Sequence, residues 1–305
     1  MIDNGLLVQM LIGALLGVSV YLPLAAGQLS LATPAFFAVG GTLAALLSTR
    51  WSILGATPDG TLPLASFVLE LLLGGLLAGL MALGVGRPVL RLQGIYLAIS
   101  TIALVEIVRV EILNLPFTGG AIGIFAIPQP FPTSAGYLLP LLALLAFAGW
   151  GCQRLEQMPL GRAMAAIRDD ELAAGCMGLN TTGVKLTAFV LSAVLAGSTG
   201  VVAAHFLNTW NARQGSFDTS VTLLAFVILG GSRSWLGPVV GGLLLTALPE
   251  LLRPVGDVRL VLFGLVILLG PVLFPQGLIT PALLERLGGP WGPRHGLRPG
   301  GGSPP

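Results

Sequence analysis

Apolar residues fall along this chain in long blocks, separated by short stretches of polar residues, glycine and proline. A helix rising 1.5 Å per residue needs about 20 apolar residues to cross a hydrocarbon layer about 30 Å thick. By that measure, candidate spans lie at 6–26, 29–49, 63–86, 94–113, 135–152, 183–207, 219–231, 237–252 and 258–275. The segments 219–231 and 237–252 are short and joined through Gly230, Gly231, Gly237 and Pro238, which predicts half-helices dipping in from one side. The stretch Gly27 to Pro34 predicts a further break. Irregular backbone is tolerated at membrane depth only where protein or a water-filled cavity satisfies its polar groups, so these breaks point toward a pathway. The fold class expected is all-α, an integral membrane protein built as a polytopic helical bundle of about 8–10 transmembrane helices with broken or re-entrant segments.

Composition agrees. Of 305 residues, 54% are hydrophobic and 9% charged, whereas a soluble domain has about a quarter of its residues charged. Fifteen basic against thirteen acidic residues leave no basic footprint for nucleic acid and no acidic tail. Forty-three glycines and twenty-two prolines in so apolar a chain indicate close-packed helices with interruptions. Cys152 and Cys176 match no metal spacing, and a disulfide framework is not expected. Asp3 stands where a signal peptide would carry positive charge, so the first segment is read as a span. Residues 288–305 hold seven Gly and five Pro and read as a disordered, Gly/Pro-rich cytoplasmic tail, with the membrane domain over 1–287.

Lys and Arg set orientation. With the loop 153–182 cytoplasmic, ten basic residues fall inside, Arg50, Arg213, Arg253 and Arg259 fall outside, and Arg109 lies within a span. The N-terminus is outside if Gly27 to Pro34 separates two full spans, and inside if it interrupts one. Eight charged residues crowd between Gln153 and Lys185, and the alanines among them predict one surface helix at about 162–177, stopped by Gly178 and Asn180. Such a charge-rich helix reads as a docking element for a cytoplasmic partner. Elsewhere, Ala35 to Gly41 (AFFAVGG) and Ala225 to Gly231 (AFVILGG) are alike, which supports no repeat by itself.

The run Pro159 to Ala204, with GRAMAAIRDDELAA, MGLN and KLTAFVLSAVLAG within it, resembles the cytoplasmic coupling loop and following span of the branched-chain amino acid ABC importer permeases. Three more blocks follow that family's order: AGQLSLATPAFF from Ala26, FTGGAIGI from Phe117, and LGGSRSWLGPVVGG from Leu229 with PELLR from Pro249. The resemblance implies a multi-pass permease of the bacterial inner membrane. It further implies a second permease subunit, two cytoplasmic ABC ATPases and a periplasmic solute-binding protein as partners, beside membrane lipid. Coupling to the ATPases is carried over to Gly161, Arg162, Ala166, Arg168, Glu171, Ala173, Ala174 and Gly178, with Arg168 and Glu171 expected to pair with the ATPase rim. The translocation pathway is carried over to Gln28, Ser30, Thr33, Thr118, Gly119 and Gly120. The resemblance departs from the family near Ala32, Thr33, Thr42 and Ile122, which leaves the solute open among branched-chain and related amino acids.

The alternatives are a secondary transporter or a channel for a small polar solute such as urea or an amide. A carrier needs ionisable groups in the bundle, and Glu70, Glu106, Arg109, Glu111 and His205 are the candidates. Glu106 and Arg109, three apart on one helix, are expected to pair, whereas His205 reads as a lone interfacial histidine and Glu70 as close to the outer boundary. The chain carries no HExxH, no recognised Ser and His dyad around Ser192 and Ser198, and no GxxxxGK[ST] phosphate loop. It is therefore read as non-catalytic, with no catalytic residue, metal or cofactor, and with ATP hydrolysis left to partners.

Overall fold

The computed structural model describes residues 3–49, 62–273 and 277–279. The stretch 288–305, read above as a tail, lies outside the described residues. Each of the nine apolar segments holds one helix: α1 (Asn4–Ala25), α2 (Thr33–Thr49), α3 (Leu64–Val89), α4 (Ile95–Asn114), α5 (Leu138–Gln157), α8 (Thr181–Leu207), α9 (Phe217–Gly230), α10 (Leu236–Leu251) and α11 (Arg259–Leu273). Two shorter helices, α6 (Pro159–Asp169) and α7 (Glu171–Cys176), fill the charged loop. The described residues form two strands, β1 (Ile124–Phe125) and β2 (Thr209–Trp210), paired antiparallel. α1, α3, α8 and α5 with its preceding 3-10 turn are long and apolar enough to cross a membrane. α9 and α10, at 14 and 16 residues, are short, reaching only about 21 and 24 Å at 1.5 Å per residue.

The charged loop corrects one expectation. Instead of a single helix at 162–177, the chain breaks at Asp170, whose backbone is extended and whose carboxylate accepts from the Leu172 and Ala173 amides. An aspartate in that position caps a new helix more favourably than it continues an old one. α7 ends where Gly178 takes a positive φ of 84°, and Asn180 caps α8 by accepting from Gly183 N.

Helix directions follow from contacts. α1 and α10 run antiparallel, Gly17 against Pro238 and Gly13 against Gly242 and Thr246, so that Asp3 and Glu250 line one hollow. The other end of α1 reaches the charged loop, where Tyr21 donates to Glu156 at the end of α5 and Gly27 abuts Arg168. The N-terminus therefore lies at the end of the bundle opposite the charged loop, which settles the alternative in favour of a break between two helices.

At the centre, α2 crosses α8 with backbone nearly touching backbone. A Cβ on Gly40 would strike the Gly197 carbonyl, and one on Gly197 would lie 2.5 Å from Ala78 Cβ of α3. Small residues are what let three helices close this far in lipid, where packing replaces the hydrophobic effect between helices. The core around that crossing is built from Phe36, Phe189, Ala193, Ala196 and Val201, with Phe36 edge-on to Phe189 at 5.3 Å.

Candidate translocation and coupling site

The break between α1 and α2 is built by a helix stop. Gly27 takes a φ of +74°, donates to Leu24 O, and lets Gln28 N reach back to Pro23 O at 3.0 Å, the pairing that satisfies the last carbonyls of a helix. Beyond it the chain is irregular as far as Thr33. Its polar backbone groups find side chains: Leu31 N donates to Thr101 Oγ1 of α4 at 3.0 Å, and Leu31 O accepts from Ser220 Oγ of α9 at 3.1 Å. Irregular backbone at this depth is thus held by protein groups from two neighbouring helices.

Gln28, Ser30, Thr33 and Thr118 are all buried, at 1–4% exposure. Gln28 Nε2 donates to Lys185 O at 2.9 Å, leaving Oε1 buried without a partner. Thr118 Oγ1 bonds back to Ile112 O and Leu115 O, and closes the end of α4. Gly119 and Gly120 take positive φ values of 77° and 58°, a region that favours glycine. The segment Thr209–Gly215 links the outer-loop group to α2 and the break. Gly123 packs on Trp210 O, Trp210 Nε1 reaches Thr42 Oγ1 at 3.2 Å, and Gly215 sits against Pro34 and Ala38. An apolar groove of about 400 Å³, open to the surface between α2, α3 and α4, is lined by Thr42, Leu77, Leu104 and Ile107 among others, and by none of the six pathway residues.

In the charged loop, α6 buries Met164 and Ile167, Met164 against Ala26 and Ala188, and leaves Arg162, Ala166 and Arg168 exposed. Gly161 is packed so closely on the Leu155 carbonyl that no side chain fits. A Cβ on Gly27 would lie 2.9 Å from Arg168 Cα, so the last turn of α6 rests on the first residue of the break. Two expectations change here. Glu171, expected to meet a partner's rim, is bound within the chain: Oε1 pairs with buried Lys185 Nζ at 2.5 Å and Oε2 accepts from Gln93 at 3.1 Å. Ala174 is buried at 5% while Ala173 is exposed. The exposed apolar surface comes instead from Leu172 and Met177, at 79% and 84%, which sequence reading passed over. The available signal was two large apolar residues flanking an alanine-rich turn in an otherwise charged loop.

His205 is not alone: it meets Glu70, and the two stand near the ends of α8 and α3 that lie opposite the charged loop. Both are fully buried, His205 Nε2 lies 2.6 Å from Glu70 Oε2, and Nδ1 lies 2.7 Å from Pro128 O. A carbonyl only accepts, so Nδ1 carries a hydrogen. A proton then lies between Nε2 and Oε2, and the pair is neutral as a whole. Tyr137 and Gln129 donate to His205 O, at 3.2 and 3.3 Å, tying the loop before α5 to the end of α8. Glu106 and Arg109 pair as expected, at 2.7 Å. Ser192 bonds Ser19 and approaches no histidine. Among the described residues no cluster of His, Cys, Asp and Glu could hold a metal ion.

The model of the branched-chain amino acid transport system permease component matches residues 1–270. The chain belongs to that family. It is 33% identical over 294 residues to the high-affinity branched-chain amino acid transport system permease protein LivM of Salmonella typhimurium, covering 87% of this chain and 66% of LivM. LivM of Escherichia coli K12 matches to the same extent. The chain thus spans just under two thirds of the length of these relatives. A shorter match, 30% over 109 residues, reaches the high-affinity branched-chain amino acid transport system permease protein LivH of Escherichia coli K12, covering 36% of this chain and 34% of LivH. No solved structure matches. Membership of this permease family accounts for the all-α, multi-pass architecture.

Proposed function

We propose that this permease moves branched-chain or related amino acids across the bacterial inner membrane as one subunit of an ABC importer. A second permease, two cytoplasmic ATPases and a periplasmic binding protein complete the assembly in this reading. The observation that carries it is the seat of α6 on Gly27. A displacement of the charged loop by an ATPase would reach the break between α1 and α2 through the backbone contact of Arg168 with Gly27, with Lys185 joining Glu171 of α7 to Gln28 of the break. Leu172, Met177 and Ala166 offer the exposed apolar and small surface on which an ATPase groove would close. Gln28, Ser30, Thr33, Thr118, Gly119 and Gly120 flank the route in this reading.

The chain has no phosphate loop, so the purified subunit alone is expected to hydrolyse no ATP and to concentrate no solute. Leucine uptake into proteoliposomes should require the ATPases, ATP and a loaded binding protein. Uptake by this chain alone, driven by a proton or sodium gradient, would establish a secondary transporter instead.

A further inference from the structure

α4 is an apolar helix that carries three charged residues, Glu106, Arg109 and Glu111. Its first residue, Ile95, follows Gln93, which bonds Glu171 of the charged loop, so α4 starts at that end of the bundle. Glu106 stands about 16 Å along the axis from there and Arg109 about 21 Å. In a hydrocarbon layer about 30 Å thick, Glu106 then lies just past the middle and Arg109 toward the outer side. Neither side chain is packed away. They are 38% and 36% exposed, beside the exposed stripe of Ile99, Ala103, Ile107 and Val110.

The bond between them uses only part of their capacity. Arg109 Nε donates to Glu106 Oε2 at 2.7 Å, while among the described residues both terminal guanidinium nitrogens and Glu106 Oε1 remain without partners. Hydrocarbon offers nothing to those groups, so a polar species must meet them. A pair kept only for stability has its model elsewhere in this chain, in Glu70 and His205, which are sealed at 0% exposure.

We propose that Glu106 and Arg109 bind the head group of a zwitterionic α-amino acid on its way across the membrane. The solute carboxylate takes the two free N–H edges of the guanidinium, a bidentate geometry that arginine favours. Its ammonium donates to Glu106 Oε1. The four charges then alternate in sign around a ring, and the pair need not separate. A neutral pair admits a neutral zwitterion, whereas an amine or a carboxylic acid leaves one charge unbalanced in the membrane. Ile107, Val110 and Ala103 supply the apolar surface for a branched side chain. The inference rests on the amino acid transport reading above and names the site that reading lacks.

The test uses the assembled permease and ATPase complex, purified without binding protein, and equilibrium binding of radiolabelled leucine. Glu106→Gln and Arg109→Gln should each weaken binding by at least about tenfold, as loss of hydrogen bonds to charged groups does. Arg109→Lys, which keeps the charge but loses the fork, should fall between. Valine should compete, while 4-methylpentanoate and isoamylamine should not, and Glu111→Gln should bind as the parent does. Leucine binding unchanged in both Gln variants overturns the site. So does loss of the second permease from the purified variants, which would make the pair a subunit contact. If the parent complex with its binding protein imports no branched-chain amino acid, the transport reading falls and takes the site with it; import by the parent with unaltered variants removes the site alone.

Discussion

α8 is tied to the bundle at both ends by an acid–base pair, and the two pairs differ in how much water they meet. At the charged-loop end, Lys185 and Glu171 are 6% and 28% exposed, and the carboxylate also holds Gln93. At the opposite end, Glu70 and His205 are both sealed, and the same histidine residue gathers Pro128, Gln129 and Tyr137 through its ring and carbonyl. Losing one partner strands the other differently in the two places. A carboxylate with access to water rehydrates, while one at 0% exposure has nowhere to turn. The dry end is therefore a sealed junction that joins α3, α8 and the loop before α5, and the wetter end joins α8 and the break to the charged loop.

The largest effect should follow from breaking the dry pair. His205→Leu leaves Glu70 buried and unpartnered, with an expected loss of about 3–5 kcal/mol of folding stability, read as a lower thermal midpoint in detergent and lower abundance in the membrane. Combining it with Glu70→Met removes the stranded carboxylate, and the double variant should be more stable than His205→Leu alone. Losses that simply add would show that the two residues do not act as a unit, and the contrast between the ends of α8 would disappear.

The apolar blocks located nine helices, because apolar runs and helices that cross or enter a membrane share similar lengths. The stop at Gly27 and the left-handed backbone at Gly119 and Gly120 were legible for a similar reason, since glycine marks where the chain must turn. Pairings between distant helices were not. Glu70 and His205 are 135 positions apart, and no periodicity relates a residue of α3 to one of α8, so each looked solitary. Asp170 is a different kind of miss. The signal of an aspartate before Glu171, Leu172 and two alanines was present, but helix propensity summed over the loop hid the cap. Which face of α7 is buried depends on that break, and so Ala174 and Glu171 were assigned outward roles when they serve the chain's own packing.

An intermediate effect is expected at the wetter pair. Lys185→Met fits the buried stem of the lysine and leaves Glu171 partly hydrated and still bonded to Gln93, so stability should fall by about 1 kcal/mol or less. Transport should fall further than abundance, because the link from α7 to Gln28 is cut. Glu171→Lys sets two ammonium groups together inside the chain and should reduce abundance as well, which makes it a poor probe of any partner. Uptake per assembled complex, compared across the two variants, separates a lost link from a damaged fold. Equal uptake per complex in Lys185→Met and the parent would show that the pair is only a tether.

The smallest effect on the fold should come from Ala166→Trp. Ala166 is exposed on α6, on the side away from Met164 and Ile167, and exposed substitutions of this kind usually stay within about 0.5 kcal/mol. Ala174→Trp is the control within the same loop: its site is 5% exposed, so a bulky ring must displace neighbours at about 1–3 kcal/mol. If the loop transmits ATPase motion as a body, the ring at 166 wedges the docking surface open while the chain itself stays intact. Membrane abundance should then hold for Ala166→Trp and drop for Ala174→Trp, whereas ATPase capture per permease should drop for Ala166→Trp. Capture and uptake that remain undiminished in Ala166→Trp would mean that α6 faces solvent rather than an ATPase. The contact between Arg168 and Gly27 would then be packing alone, with no part in moving the break.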